Sequence, residues 1–217
     1  MDIKALIFDL DGVVVDTAKY HYLAWKKLAD ELGFFFSEKD NERLKGVSRV
    51  RSLEILLEVG GVQLEEDVKK KLAAKKNEDY LAYIKKMTPD EILPGVINFL
   101  EEARIRGLKT AIGSASKNAV TILETVQLLD YFDEIIDGNE VSKAKPDPEV
   151  FLNAARKLGV KTQECIVFED AEAGIEAAIN GAFHVVGIGD KNTLNKAEMV
   201  IPGFAEVSLD TFLKLGK

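Results

Sequence analysis

The sequence of 217 residues is poor in cysteine, histidine, tryptophan and basic charge: one Cys, two His, one Trp, and 29 Lys and Arg against 37 Asp and Glu. A single cysteine, Cys165, cannot close an intramolecular disulfide, and it lies inside an apolar run. It reads as a core residue of a protein kept in a reducing compartment. The absence of a Cys/His cluster argues against structural zinc. A formal net charge of −8 leaves no general basic surface to follow a nucleic acid or an anionic membrane, so any anionic ligand must be held by a few local cations. No apolar stretch approaches the ~20 residues of a membrane span. The apolar start runs into Asp9 and Asp11, which is not the pattern of a secretory signal. The cytoplasm is the expected location and a monomer the expected state, since no apolar face obviously lacks a partner.

What is present is globular in balance, with 47% hydrophobic and 30% charged residues. Against about 150 residues per domain, the length permits one large domain or a core with a modest insertion. Residues 3–8 form a short apolar run ended by Asp-Leu-Asp-Gly, which suits a buried parallel strand. Similar runs recur at 108–112, 134–137, 165–168, 184–188 and 199–201, with helical patterns at 96–106, 118–127, 149–158 and 171–180 between them. This alternation predicts an α/β fold, a Rossmann-like doubly wound parallel sheet with helices on both faces.

Residues 17–87 break the rhythm. Trp25, Leu28 and Leu32, then Leu53, Leu56 and Leu57, recur at helical spacing, and no strand is evident. The reading is an inserted α-helical cap domain at 17–87 in a core made of 1–16 and 88–217. Thr88-Pro89 and Leu93-Pro94-Gly95 mark the return.

In such sheets ligands bind outside the carboxyl ends of the strands. There the sequence puts Asp9 and Asp11 after the first strand, and Ser114, Ser116, Lys117 and Asn118 after the second. Lys145 follows near the third strand's exit, and Glu169 and Asp170 end the fourth. Carboxylates converging on one edge repel unless cations sit among them, and a hard divalent cation bound through oxygen, with Lys145, would supply that charge.

In order, Asp9-Leu10-Asp11-Gly12-Val13, Ser114, Lys145-Pro146 and Glu169-Asp170 resemble the four motifs of the haloacid dehalogenase superfamily of phosphotransferases. The resemblance implies Asp9 as a nucleophile that becomes an aspartyl-phosphate and Asp11 as general acid and base. It also implies magnesium held by Asp9, the Asp11 carbonyl and Asp170, with Glu169 at or beside it. Ser114 and Lys145 would steady the transferring phosphoryl oxygens, where charge must be stabilised.

Further stretches, Asp16-Thr17 with His21 and Trp25, Leu44-Lys45-Gly46-Val47-Ser48-Arg49, and Ser114-Ala115-Ser116-Lys117-Asn118, resemble the β-phosphoglucomutase branch of that superfamily. That resemblance implies interconversion of β-glucose 1-phosphate and glucose 6-phosphate through β-glucose 1,6-bisphosphate. A mutase must hold one phosphate while the other is transferred. Arg49 offers a planar fork for it, met by Ser116, Lys117 and Asn118. Thr17 and His21 would sense closure, and Lys45, Gly46 and Val47 would contact the sugar. A magnesium-dependent sugar-phosphate phosphatase shares every core residue and differs only at Thr17, His21, Lys45 and Arg49. Ser116 and Asn118 read equally as helix caps. Trp25 reads as core packing, and Lys76, in the Lys-rich run 69–76, as part of a solvated face.

Overall fold

The computed structural model describes residues 2–215, and everything below concerns these. Six parallel strands form one sheet in the order β3-β2-β1-β4-β5-β6. They are β1 (Ala5–Phe8), β2 (Lys109–Gly113), β3 (Glu134–Ile136), β4 (Cys165–Glu169), β5 (His184–Ile188) and β6 (Met199–Ile201). β1 and β4 are buried throughout, which is why β1 is wholly apolar and β4 is apolar up to Glu169 at its end. Helices α5 (Val96–Ile105), α6 (Ala119–Thr125), α7 (Glu149–Leu158) and α8 (Glu172–Asn180) connect the strands, and α9 (Leu209–Phe212) follows the last. One sheet face buries Phe8, Phe99, Phe168, Phe204 and Phe212, and the other Ile7, Phe151, Val167 and Ile175. Phe8 stacks on Phe168 at 5.0 Å and meets Phe99 edge-on at 6.2 Å.

Four helices lie between β1 and the return to the sheet: α1 (Ala18–Glu31), α2 (Glu38–Glu42), α3 (Arg49–Gly60) and α4 (Glu66–Ile84). Trp25, Leu28, Phe36, Leu53, Leu56 and Leu57 form their own apolar cluster. Ala24, Tyr80 and Ile84 belong instead to the large cluster of the sheet. The outgoing and returning chains run side by side: Asp16 N donates to Glu91 O at 2.8 Å and Leu93 N to Val14 O at 3.0 Å. Among the described residues no helix is long and apolar enough to cross a membrane.

Several boundaries differ from the sequence reading. The first strand begins at Ala5, β2 is shifted one residue onward, and β3 ends at Ile136. α5 ends at Ile105 and α8 starts at Glu172. β4 continues to Glu169, which makes this carboxylate a fully buried strand residue. α6 ends at Thr125, because Gln127 turns to a positive φ of 62° that a right-handed helix cannot hold.

Candidate active site

The carboxyl ends of β1, β2 and β4 bring the predicted residues to one place. Asp9 follows β1 and is 5% exposed, Lys145 is 4% exposed and Glu169 is fully buried. Lys145 Nζ donates to Asp9 Oδ1 at 2.6 Å and to Glu169 Oε1 at 2.5 Å. It also lies 4.7 Å from the centre of the Phe151 ring. Burial alone would lower the Lys145 pKa, but the charges of Asp9 and Glu169 outweigh it and raise it well above the ordinary lysine range. Burial pushes Glu169 up against the pull of Lys145, and its second oxygen accepts from the Ala171 N–H at 2.9 Å. The first turn of α8 closes tightly on this carboxylate: a Cβ on Gly174 would stand 1.8 Å from Glu169 Oε1, so only glycine fits there. The Lys145-Pro146 peptide bond is cis.

Asp9, Glu169 and Asp170 each offer an oxygen to a common point, within 4.8 Å of one another. Burial, and then the charges of Glu169 and Asp9, raise Asp170 well above the carboxylate range. Gly12, at φ 83°, has no side chain where a Cβ would lie 2.2 Å from Asp170 Oδ2. An all-oxygen, anionic set with one cation beside it suits a hard divalent ion and not a soft one. The Asp11 carboxylate is outside this set. Its Oδ1 accepts from the Thr17 hydroxyl. Thr17 stands at the cap position just before α1 but makes no capping bond with its side chain, since that hydroxyl is committed to Asp11. Burial, reinforced by the Asp9 charge, pushes Asp11 up to about 6.

A cavity of about 540 Å³ lies between the sheet edge and helices α1, α3 and α4, the size of a small-ligand site. It is lined by Asp9, Asp11, Ser114 and Asp170, and also by His21, Lys45, Gly46, Val47, Arg49, Ala115, Ser116, Lys117 and Asn118. Thr17 is fully buried beneath Asp11, and Lys145 and Glu169 stand behind Asp9. Ser114 Oγ accepts the Ser116 N–H at 3.1 Å, which leaves its own hydroxyl hydrogen for another partner. Ser116 Oγ accepts the Asn118 N–H at 3.2 Å. The Lys45 ammonium is 2.8 Å from Glu42, so its sequence-expected sugar contact competes with a neighbouring carboxylate. Arg49 is half-buried, with no carboxylate in ion-pairing reach among the described residues, and burial lowers its pKa. An unpaired guanidinium in a cavity is a place for an anion.

One reading is corrected. Lys76 is 3% exposed and not part of a solvated face. Its Nζ lies 3.0 Å from His21 Nδ1, 4.4 Å from the Trp25 ring centre and 4.7 Å from that of Tyr80. Burial, then the charge of Arg49, lowers it to about 7. With the ammonium donating to Nδ1, the neutral imidazole carries its proton on Nε2, which faces Asp11 Oδ1 at 3.9 Å. Burial, Lys76 and Arg49 hold His21 well below the usual histidine range. The missed signal was spacing: Lys76, Tyr80 and Ile84 recur every four residues, and they are the buried stripe of α4. Trp25 is buried in the helical cluster as expected, although one edge lines the cavity. Asn118 does not cap α6 with its side chain, which reaches Asn77 of α4 instead. Cys165 is buried, with its thiol pushed up to about 12, so it is inert as a nucleophile.

The chain is 41% identical over 209 residues to the β-phosphoglucomutase of Bacillus subtilis strain 168, covering 95% of this chain and 92% of that one. It is 32% identical over 178 residues to the phosphorylated carbohydrates phosphatase of Thermotoga maritima, covering 81% and 80%. The crystal structure of β-phosphoglucomutase from Clostridium difficile superposes with a TM-score of 0.94 at 40% identity, covering 99% of this chain and 97% of that one. The sequence profile of the haloacid dehalogenase-like hydrolases matches residues 3–181, and on this match together with the near full-length relatives the chain belongs to that family.

Proposed function

We propose that the protein is a phosphomutase that interconverts β-glucose 1-phosphate and glucose 6-phosphate through β-glucose 1,6-bisphosphate. The observation that carries this reading is the unpaired Arg49, which shares one cavity with Lys117 and with the Asp9 and Asp11 carboxylates. A phosphatase needs one phosphate site; this cavity has cations for a second. The likeness to mutases at 41% and 40% identity, against 32% for the phosphatase, supports the same choice.

Asp9 attacks the phosphoryl group in line, the bond from phosphorus to the sugar oxygen breaks, and Asp11 gives its proton to that oxygen. The group taken is one of the two on the bisphosphate, so glucose 6-phosphate is left beside phosphorylated Asp9, and an incoming β-glucose 1-phosphate then presents its free 6-hydroxyl, from which the bisphosphate is made again. In the return step a sugar hydroxyl yields its proton to Asp11 and takes the phosphoryl group from Asp9, which restores the free carboxylate. Ser114 and Lys145 steady the phosphoryl oxygens during both transfers. Magnesium would be held by Asp9, the Asp11 carbonyl and Asp170, with Glu169 alongside, and would supply charge neutralisation between phosphate and carboxylates. Residues 17–87 act as a cap over a core of 1–16 and 88–217. Closure carries Thr17, His21 and Arg49 to the substrate, sets Asp11 and excludes water that would hydrolyse the aspartyl-phosphate. Lys45, Gly46 and Val47 then face the sugar and Ala115 the core side of the distal phosphate.

With Asp11 at about 6, its acid form is lost above that pH. The kcat/KM for Asp9 phosphorylation by the sugar phosphate is expected to fall about tenfold per unit above about 6. The rate with acetyl phosphate, whose leaving group needs no proton, should stay level, and Asp11→Asn should flatten the sugar-phosphate profile. A limb that survives in Asp11→Asn would remove Asp11 from the acid role. The function itself is tested by supplying β-glucose 1-phosphate, magnesium and bisphosphate primer: glucose 6-phosphate should be the main product, and free phosphate alone would make the protein a phosphatase.

A further inference from the structure

Asn77 lies on α4 next to Lys76 and lines the cavity. Its Oδ1 accepts a hydrogen bond of 3.0 Å from Asn118 Nδ2, across 41 positions of sequence. Among the described residues no other side-chain hydrogen bond ties α4 to the sheet side of the cavity; Lys76 reaches His21 and Lys69 reaches Glu66, all within the helical layer. Among the described residues the other polar side-chain ties between the two layers, from Thr17 and His21 to Asp11 and from Lys19 and Tyr20 to Glu91, stand near where the chain crosses over. The pair Asn77–Asn118 therefore joins the layers across the cavity, away from the crossing.

We propose that Asn77 is a positioning residue: it latches the cap onto the loop that receives the distal phosphate, so that closure and completion of the distal anion site become one event. This rests on the phosphomutase reading above. The loop side is already fixed. Ser116 O accepts from Gly138 N at 3.1 Å, Lys117 O from Asn139 Nδ2 at 3.1 Å, and Ser116 Oγ from Asn118 N at 3.2 Å. What moves on closure is α4. Asn118 occupies the cap position of α6, yet its side chain makes no capping bond there and is left to face the cavity. The Nδ2 group has two hydrogens, so one can serve Asn77 and the other a phosphoryl oxygen. Both residues are neutral, so the latch adds no charge to desolvate. Arg49 supplies the attraction and the amide pair supplies the geometry.

The test is a double-mutant cycle read on the sugar phosphate and on acetyl phosphate, which has no second phosphate to hold. Asn77→Ala is expected to raise KM for β-glucose 1-phosphate about 3- to 10-fold, the range of one neutral hydrogen bond. It should also raise the fraction of phosphoenzyme lost to water in the presence of sugar phosphate, while the loss against acetyl phosphate stays below twofold. Asn77→Ala added to Asn118→Ala should cost nothing beyond Asn118→Ala alone, because the bond is already gone. The proposal is overturned by a KM within twofold of the parent protein, by losses that multiply in the double variant, or by equal losses with both phosphoryl donors. If the parent protein releases only free phosphate, the mutase reading fails, whereas multiplying losses with mutase products intact remove the latch alone.

Discussion

Asp9→Asn is expected to lower turnover by at least about 10⁴-fold and to leave no phosphate on the protein after a rapid acid quench. The asparagine amide keeps the shape of the aspartate but is neutral and not nucleophilic, so the covalent route closes. The fold should survive, because Lys145 keeps its 2.5 Å partner Glu169 and the exchange is nearly isosteric. Thermal unfolding therefore separates this variant from a merely misfolded one: its midpoint should stay close to the parent's while phosphorylation vanishes. A phosphate adduct on the variant, or an adduct on the parent protein that maps to a peptide without Asp9, would assign the nucleophile elsewhere.

Lys145→Met is expected to damage stability as well as catalysis. It leaves Asp9 and Glu169, at 5% and 0% exposure, facing each other with no cation between them. Stranding buried charge in this way costs roughly 3–5 kcal/mol. At about 2–4 °C per kcal/mol for a chain of this size, the metal-free protein should melt roughly 6–20 °C lower. The deficit has a definite pH dependence. Without Lys145 the burial that already raises Glu169 goes unopposed, so its folded-state pKa rises further above the unfolded value, the folded state binds more protons and the deficit shrinks as pH falls. Adding Glu169→Gln to Lys145→Met should recover part of the loss by removing one stranded charge. A melting point within 2 °C of the parent across pH 5–8, at about 1 kcal/mol or less, would mean that the triad contributes little to the fold.

The sheet was legible in the sequence because buried parallel strands must be apolar on both faces, and because each useful strand ends in a charged or hydroxyl residue. Asp9, Ser114 and Glu169 are found at such ends. The core carboxylates and Lys145 could be named for the same reason: acidic groups gathered at one edge need cations. Lys76 was hidden because a lysine within a lysine-rich helix has no local mark of burial, and only its four-residue spacing from Tyr80 and Ile84 distinguishes it. Asn77 was hidden for a different reason, since its partner is 41 residues away and nothing in either local stretch links them. The end of α6 depended on a left-handed Gln127, a backbone state that glutamine rarely adopts and no side-chain pattern announces.

The reading of Arg49 and Lys117 as holders of a second phosphate can be put to one measurement. Asp9 is labelled from radioactive acetyl phosphate, excess reagent is removed, and the phosphoenzyme is mixed with β-glucose 1-phosphate and magnesium in a single turnover. The expected result is that most label appears in β-glucose 1,6-bisphosphate, with little reaching water. Label released chiefly as inorganic phosphate, at the same rate with and without the sugar phosphate, would contradict the mutase assignment.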